Sequence, residues 1–267
     1  MIENMKALDE VGIIYMSCDK YSDLWIEYFR LFRRNWPECP FKIYVLTNTT
    51  GPSIEGVEKL EVGKDITWSD NLLAALERVG HRYVLLLLDD FFLVDRVPGE
   101  WVAERIRWAV ENDVNCLRLS PGHPKPVEKC DHNIGLIPKG AIYRTSVRFP
   151  LWKKETLRKV LKRGESAWDF ELAGSYRSDE FDHFYAIYSE PFKFANCIIK
   201  GRWDPRALRL VERHGVRLNL STRPMMSTAQ CCLEFAKGMR SLCLLLFPYG
   251  SRRKIRQSVL RAFGRAT

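Results

Sequence analysis

Tyr83-Val84-Leu85-Leu86-Leu87-Leu88-Asp89-Asp90-Phe91-Phe92 is the stretch on which the fold of this chain turns. Six apolar or aromatic residues in a row predict a strand buried on both faces. Two adjacent carboxylates follow where that strand should surface. Ionised aspartate is almost never buried without a partner, so the pair is expected to meet solvent, a cation or a ligand. In open α/β sheets, ligands bind at the carboxyl ends of the strands. Paired oxygen ligands there suit Mg²⁺ or Mn²⁺ held against a nucleotide diphosphate. The alternative is a plain strand-to-turn junction with aspartate as a turn former.

Working outward, residues 11–18 (Val-Gly-Ile-Ile-Tyr-Met-Ser-Cys) read as a first buried strand ending in a polar loop, Ser17 to Tyr21. Ser22 and Asp23 can start a helix in which Trp25, Tyr28, Phe29 and Phe32 form one apolar stripe, stopping before Pro37. Strands are expected at 41–47 and 59–62. Thr67 or Ser69 would cap a helix striped by Leu72, Leu73, Leu76 and Val79. After the Asp-Asp strand come a helix over 101–112 and a strand at 116–119. Strand alternating with helix predicts a three-layer α/β/α sandwich with a mostly parallel central sheet. Pro, Gly, His and Lys make 121–138 a surface loop in this reading; 141–146 and 147–152 are expected as short strands. A helix over 155–163 ends at Gly164, and Ser166-Ala-Trp-Asp169 matches a capping box. Residues 191–203 read as extended or loop. Two helical stretches close the chain, one striped by Phe235, Met239, Leu242, Cys243 and Leu246, the other by Ile255, Val259, Leu260 and Phe263.

The composition of the 267 residues is that of a globular protein, 46% hydrophobic and 28% charged. The eight cysteines contain no CxxC pair, which argues against zinc and for reduced thiols in a cytosolic protein. Residues 1–10 carry acids and no apolar core, so no signal peptide is expected. The net charge of +9 is concentrated late: no acidic residue follows Glu234, while Lys237, Arg240, Arg252, Arg253, Lys254, Arg256, Arg261 and Arg265 do. A near-neutral body argues against a nucleic-acid face spread over the fold and for one basic tail with its own partner.

In this order, Ile66-Thr-Trp-Ser-Asp-Asn-Leu-Leu, Leu87-Leu-Asp-Asp-Phe-Phe, Ser166-Ala-Trp-Asp-Phe-Glu-Leu and Ile199-Lys-Gly-Arg-Trp-Asp-Pro resemble the glycosyltransferases of GT-A fold. The likeness is to bacterial enzymes that build surface polysaccharides such as capsule or O-antigen from nucleotide-sugars. It spans residues 11–210 and implies a GT-A-like domain over 1–210, with 211–267 a helical basic segment. That family carries Asp-x-Asp or a related acidic motif; here the residues are Leu88-Asp89-Asp90, a departure that bears on metal dependence. The resemblance implies that Asp90 ligates Mg²⁺ or Mn²⁺ and that Asp89 contacts ribose or the donor sugar. Ser17, Asp19 and Tyr21 would meet base and ribose, with Asp65 and Trp68 beside the same pocket; Trp68 could equally be core. Lys200 and Arg202 fit a diphosphate clamp by charge, and His123 could touch the acceptor.

Inverting glycosyl transfer needs a carboxylate to take the acceptor hydroxyl's proton. Asp169 and Glu171 both stand at the head of one helix, about 200° apart around it, so one pocket cannot easily take both. Asp169 falls at N3 of the Ser166 cap. Glu171 shares a face with Trp168, whose indole could pack on an acceptor sugar. Glu171 is therefore the first candidate base and Asp169 the second. The tail reads as a basic amphipathic helix for an anionic membrane surface, placing the protein in the cytoplasm, peripheral on the inner membrane beside a lipid-linked glycan acceptor. Two other readings stay open: a nucleotidyltransferase acting on sugar phosphates, and a non-catalytic membrane or nucleic-acid adaptor working through the tail. The first would want a Gly-rich basic loop after the first strand, where only Gly12 and Lys20 stand.

Overall fold

The computed structural model describes residues 2–243 together with 251 and 254. The second closing stripe, Ile255 to Phe263, and most of the basic tail lie outside the described residues.

After a short helix α1 (Ile2–Asp9), β1 (Val11–Met16) enters the middle of the molecule, every residue of it buried. A turn leads into α2 (Ser22–Asn35), then β2 (Lys42–Thr47), β3 (Val57–Glu61) and α3 (Trp68–Arg78). The Thr67 side chain accepts from the Asp70 amide and so caps α3, the first of the two candidate caps. The decisive stretch forms β4 (Tyr83–Leu88) and, after the Asp89-Asp90 turn, β5 (Phe91–Leu93). Then follow α4 (Gly99–Glu111), β6 (Cys116–Arg118), β7 (Glu128–Lys129), β8 (Ile134–Leu136), β9 (Pro150–Lys153) and α5 (Lys154–Val160). A helical run over 167–177 comprises α6 (Ala167–Asp169), a π turn (Phe170–Gly174) and α7 (Ser175–Arg177). The remainder is β10 (Phe184–Ile187), β11 (Phe194–Asn196), β12 (Ile198–Ile199), β13 (Arg202–Trp203), α8 (Pro205–Arg213) and α9 (Thr228–Cys243).

The central sheet has the order β3-β2-β1-β4-β9-β6-β10-β8-β7. Only β8 and β9 run against the direction shared by the other strands. Side-chain alternation sends Ile13, Tyr15, Leu85 and Leu87 to one face, against the aromatic stripe of α2 and the inner face of α4. Ile14, Met16, Val84 and Leu86 go to the other, against α3, α5 and Phe170. Period two in the strands therefore builds both cores of a three-layer sandwich. Full burial of each such side chain contributes about 1.5–3 kcal/mol.

Three sequence expectations need correction. Residues 121–138 are not a plain surface loop: β7 and β8 extend the sheet edge, and Ile134 and Ile137 are fully buried. Strands this short carry too few residues for an alternating signal. Residues 141–149 form no strand; two amides in their middle turn to side chains of the 167–177 run, and Phe149, at the edge of β9, meets the chain beside β6. Thr145 N donates to Ser175 Oγ at 3.1 Å and Val147 N to Glu171 Oε1 at 3.0 Å. The sequence reading also lacked α8, although its start is marked: Asp204 caps the Arg206 amide at 2.7 Å and Pro205 opens the first turn.

Candidate active site

Parallel pairing of β1 with β4 puts Met16 opposite Leu88. The next residue on each strand, Ser17 and Asp89, therefore emerges at the same edge, where Ser17 Oγ donates to Asp89 Oδ2 at 2.7 Å. Ser17 Oγ in turn accepts from Trp25 Nε1 of α2 at 2.8 Å. Asp90 is held by its backbone, whose carbonyl accepts from Cys197 N at 2.9 Å. Burial pushes the Asp89 carboxyl up from 3.8 to about 7, against the Ser17 hydrogen bond and the charge of Arg223. Burial, and then the negative charge of Asp89, push Asp90 well above the ordinary carboxylate range. Asp90 Oδ1 is shielded from solvent and has no hydrogen-bond partner among the described residues.

These carboxylates line a pocket of about 720 Å³ at the carboxyl edge of β1 and β4. Ser17, Tyr21, Asp65 and Trp68 line it as well. Asp65 accepts from Asn71 Nδ2 at 2.9 Å and pairs with Lys20 at 3.3 Å. Trp68 belongs to pocket and core together, its ring 5.2 Å from that of Phe170. Trp168, Glu171, His123 and Lys200 complete the set of expected residues brought to this cavity.

The helical run explains why Glu171 reaches the pocket and Asp169 does not. Asp169 completes the capping box: its Oδ2 accepts from Ser166 N at 3.0 Å, and Ser166 Oγ accepts from the Asp169 amide at 3.2 Å. Just beyond, the π turn frees carbonyls that other hydroxyls take up: Thr145 Oγ1 donates to Phe170 O at 3.0 Å and Ser175 Oγ to Glu171 O at 2.6 Å. Such turns recur at functional sites. Glu171 Oε1 then accepts from Val147 N at 3.0 Å and Ser146 Oγ at 3.2 Å.

Two further expected residues lie off the pocket wall. Asp19 points to the loop after β2, where it accepts from Asn48 N at 2.9 Å, Thr49 N at 3.0 Å, Thr49 Oγ1 at 2.7 Å and Thr50 N at 3.2 Å. Desolvation acts against it, but these donors hold its carboxyl below the usual range. The geometry assigns Asp19 to tying two loops together. Arg202, in β13, does not line the cavity, whereas its neighbours Lys200 and Gly201 do.

The sequence reading missed Arg118, Arg148, Asn196 and Glu234, all on the wall. Arg118 is fully buried, and its guanidinium donates to the carbonyls of Ser120 at 3.1 Å, Gly122 at 2.7 Å and His123 at 2.8 Å, shaping that loop. Arg148 pairs with Glu190 and stacks over Phe194, 4.9 Å from its ring centroid. Lys200 Nζ meets Glu234 Oε1 of α9 at 2.8 Å. Nothing local marks these residues; only the path of the chain gathers them.

The acidic tip fits a hard divalent ion: two neighbouring carboxylates are desolvated, and one oxygen lacks a protein donor among the described residues. Among the described residues there is no cluster of three His, Cys, Asp or Glu side chains suited to a metal. Mg²⁺ commonly takes only one or two carboxylates, with water and substrate phosphates filling the rest.

No family model matches the sequence, and no curated protein matches it. Solved structures do resemble the fold. A UTP-bound UGPase from Acinetobacter baumannii superposes with a TM-score of 0.51 at 12% identity, covering 78% of this chain and 93% of that one. Residues 1–349 of S. aureus TarS give 0.48 at 11% identity over 79% of this chain and 67% of that one. The bifunctional IspDF of Campylobacter jejuni gives 0.41 at 13%, with 70% of this chain and 52% of that one covered. At such identities the likeness shows architecture alone. The chain has an α/β sandwich of the kind seen in that UGPase.

Proposed function

We propose that this chain is a glycosyltransferase that moves a sugar from a nucleotide-sugar donor to a hydroxyl of a glycan acceptor. The observation that carries it is the pairing, in one cavity, of a desolvated Asp89-Asp90 tip with Glu171 on the facing helical run. Asp90, with Asp89 beside it, would hold Mg²⁺ or Mn²⁺, which when bound neutralises charge on a diphosphate leaving group. Ser17 and Tyr21 flank the donor's nucleoside side, with Asp65 and Trp68 next to them. Lys200 supplies a positive charge for the diphosphate. Glu171 accepts the acceptor hydroxyl's proton as its oxygen bonds to the anomeric carbon and the bond to the diphosphate oxygen breaks. Trp168, 64% exposed, offers a flat face for the acceptor sugar, and His123 lines the same cavity.

The acceptor in this reading is a lipid-linked glycan of surface polysaccharide synthesis, and the basic residues after Glu234 would draw the enzyme to the inner face of an anionic membrane. Among the described residues no helix is long and apolar enough to cross a membrane.

Nucleotidyl transfer to a sugar phosphate is the second reading, and the UGPase likeness in fold favours it. Against it stands the turn after β1, Ser17-Cys-Asp-Lys-Tyr21, which offers no glycine, and whose one lysine is paired with Asp65. Incubating the purified protein with UDP-, GDP-, CMP- and dTDP-sugars, with and without Mn²⁺, tests the proposal. A ligand at a hundred times its Kd adds about 2.7 kcal/mol, readily seen as a Tm shift. Slow donor hydrolysis, lost in Asp90→Ala, is expected. Pyrophosphate-dependent formation of a nucleoside triphosphate would establish the second reading instead, and silence toward every nucleotide would leave the adaptor.

A further inference from the structure

Arg223 lies in the stretch between α8 and α9, more than two hundred residues from the turn after β1, yet it is packed against that turn. Its side chain is 8% exposed. Nη1 and Nη2 donate to the two oxygens of Asp23, in the first turn of α2, at 2.7 and 2.8 Å. This is the fork-to-carboxylate geometry that a guanidinium makes and an ammonium cannot. Nη2 also donates to the Lys20 carbonyl at 2.9 Å. The same group stacks 4.5 Å from the ring centroid of Tyr21 and 5.0 Å from that of Trp203. Tyr21 lines the pocket, and Trp203 is fully buried.

The backbone around Arg223 is anchored too. Trp203 N donates to Pro224 O, and Met226 N donates to Trp203 O, both at 3.0 Å. By contrast, the turn Asp19–Tyr21 buries none of its own residues, and its Cys18 cap makes no side-chain bond. It is held from outside, by Asp19 on the 48–50 loop and by Arg223 on the other flank.

We propose that Arg223 is a positioning residue of the donor pocket: it clamps the turn after β1, and Tyr21 with it, onto the stretch between α8 and α9, so that the wall for the nucleoside end of a nucleoside-diphosphate ligand is held from both segments. This rests on reading the pocket as a donor site. Arg223 is also the positive group that opposes burial of the Asp89 charge, while Asp90, Asp23, Tyr15, Tyr28, Tyr21 and Cys18 are the other titratable groups around that carboxylate. A purely structural ion pair would stabilise the protein equally well without favouring any ligand.

The test uses the full chain as wild type, Arg223→Lys, Arg223→Gln and Asp23→Asn. Calorimetric titration with UDP, GDP and dTDP, with and without Mn²⁺, is combined with ligand-free Tm and hydrogen exchange over residues 17–23. Affinity for the nucleotide that wild type prefers should fall about tenfold in both Arg223 variants and in Asp23→Asn. Exchange over 17–23 should quicken, while the Tm of Arg223→Lys stays close to wild type. Unchanged affinity and exchange in both Arg223 variants overturns the proposal. So does affinity lost only in step with global unfolding, since Arg223 then simply holds the fold. Wild type that binds none of the three nucleotides sinks the donor reading itself, and this proposal with it.

Discussion

Ser17 Oγ donates to Asp89 Oδ2 while accepting from Trp25 Nε1, so indole, hydroxyl and carboxylate form one relay that ends at the acidic tip. A hydrogen bond to a charged group is worth about 1.5–3 kcal/mol. Ser17→Ala removes a donor that favours ionised Asp89, so its carboxyl should rise further above about 7. Turnover at pH 7 should drop about tenfold and recover in more alkaline solution. A pH–rate profile that superimposes on wild type would refute this.

The same pair makes stability depend on pH, with a defined sign. Burial raises Asp89 from 3.8 to about 7, and raises Asp90 as well. Across that window the folded chain keeps protons that the unfolded chain has released. The Asp89 contribution is fully present below the unfolded value near 3.8 and is lost as pH climbs through about 7, and that of Asp90 is lost in the same direction. Asp70, Asp113 and Asp182, held low by Thr67, Lys153 and Lys139 respectively, act in the opposite sense. The informative quantity is therefore the difference between a variant and wild type. Asp90→Asn should melt above wild type at pH 8, with the gap closing toward pH 5, while catalysis is lost. A gap that widens on acidification would contradict the assignment.

Glu171 and Asp169 should separate cleanly by substitution. Glu171→Gln is expected to lower transfer by about 10²–10⁴ with donor affinity intact. Asp169→Ala removes half of a capping box and should lower stability by about 1 kcal/mol with kcat near wild type. Single-turnover rates and thermal melts distinguish the two, and a reversal of the pattern would transfer the base role to Asp169.

At the rim, Glu234 holds the ammonium that the diphosphate would use. Glu234→Gln should tighten nucleoside-diphosphate binding by about threefold, the modest effect of a partly exposed pair. Lys200→Met should weaken it. Titration in low salt reads both, and no change in either variant removes Lys200 from the site.

Gly135 gives a control away from the pocket. A Cβ there would lie 2.5 Å from the Tyr188 hydroxyl and 2.7 Å from the Glu128 carbonyl oxygen, which belongs to the paired strand. Gly135→Ala should cost about 1–3 kcal/mol through overpacking and leave nucleotide affinity unaltered. An undiminished Tm would show that β7 and β8 yield freely.

The parts of the fold legible in the sequence are those whose burial is carried by their own residues. β1 and β4 are apolar on both faces, and α2 and α3 carry full stripes. The Asp89-Asp90 tip could be read because two charges after such a strand must find water or a partner. Glu171 was separable from Asp169 because a capping box is a local pattern. Residues 141–149 were misread since their hydrogen-bond partners, Phe170, Glu171 and Ser175, lie more than twenty positions away. Asp19 was placed at the ligand because nothing in its neighbourhood announces the loop at 48–50 that claims its carboxylate.

By itself, then, the order of residues determined β1, β2, β4, α2, α3 and α4, and that a pair of acids follows the central strand. Periodicity and capping act over a few positions, so they are written locally. Tertiary structure alone decided that Arg118, Arg148 and Glu234 line the same cavity as those acids, and that Arg223 reaches back to Asp23 and Tyr21. Their placement depends on strand register and crossover path, which only the packing of both cores fixes.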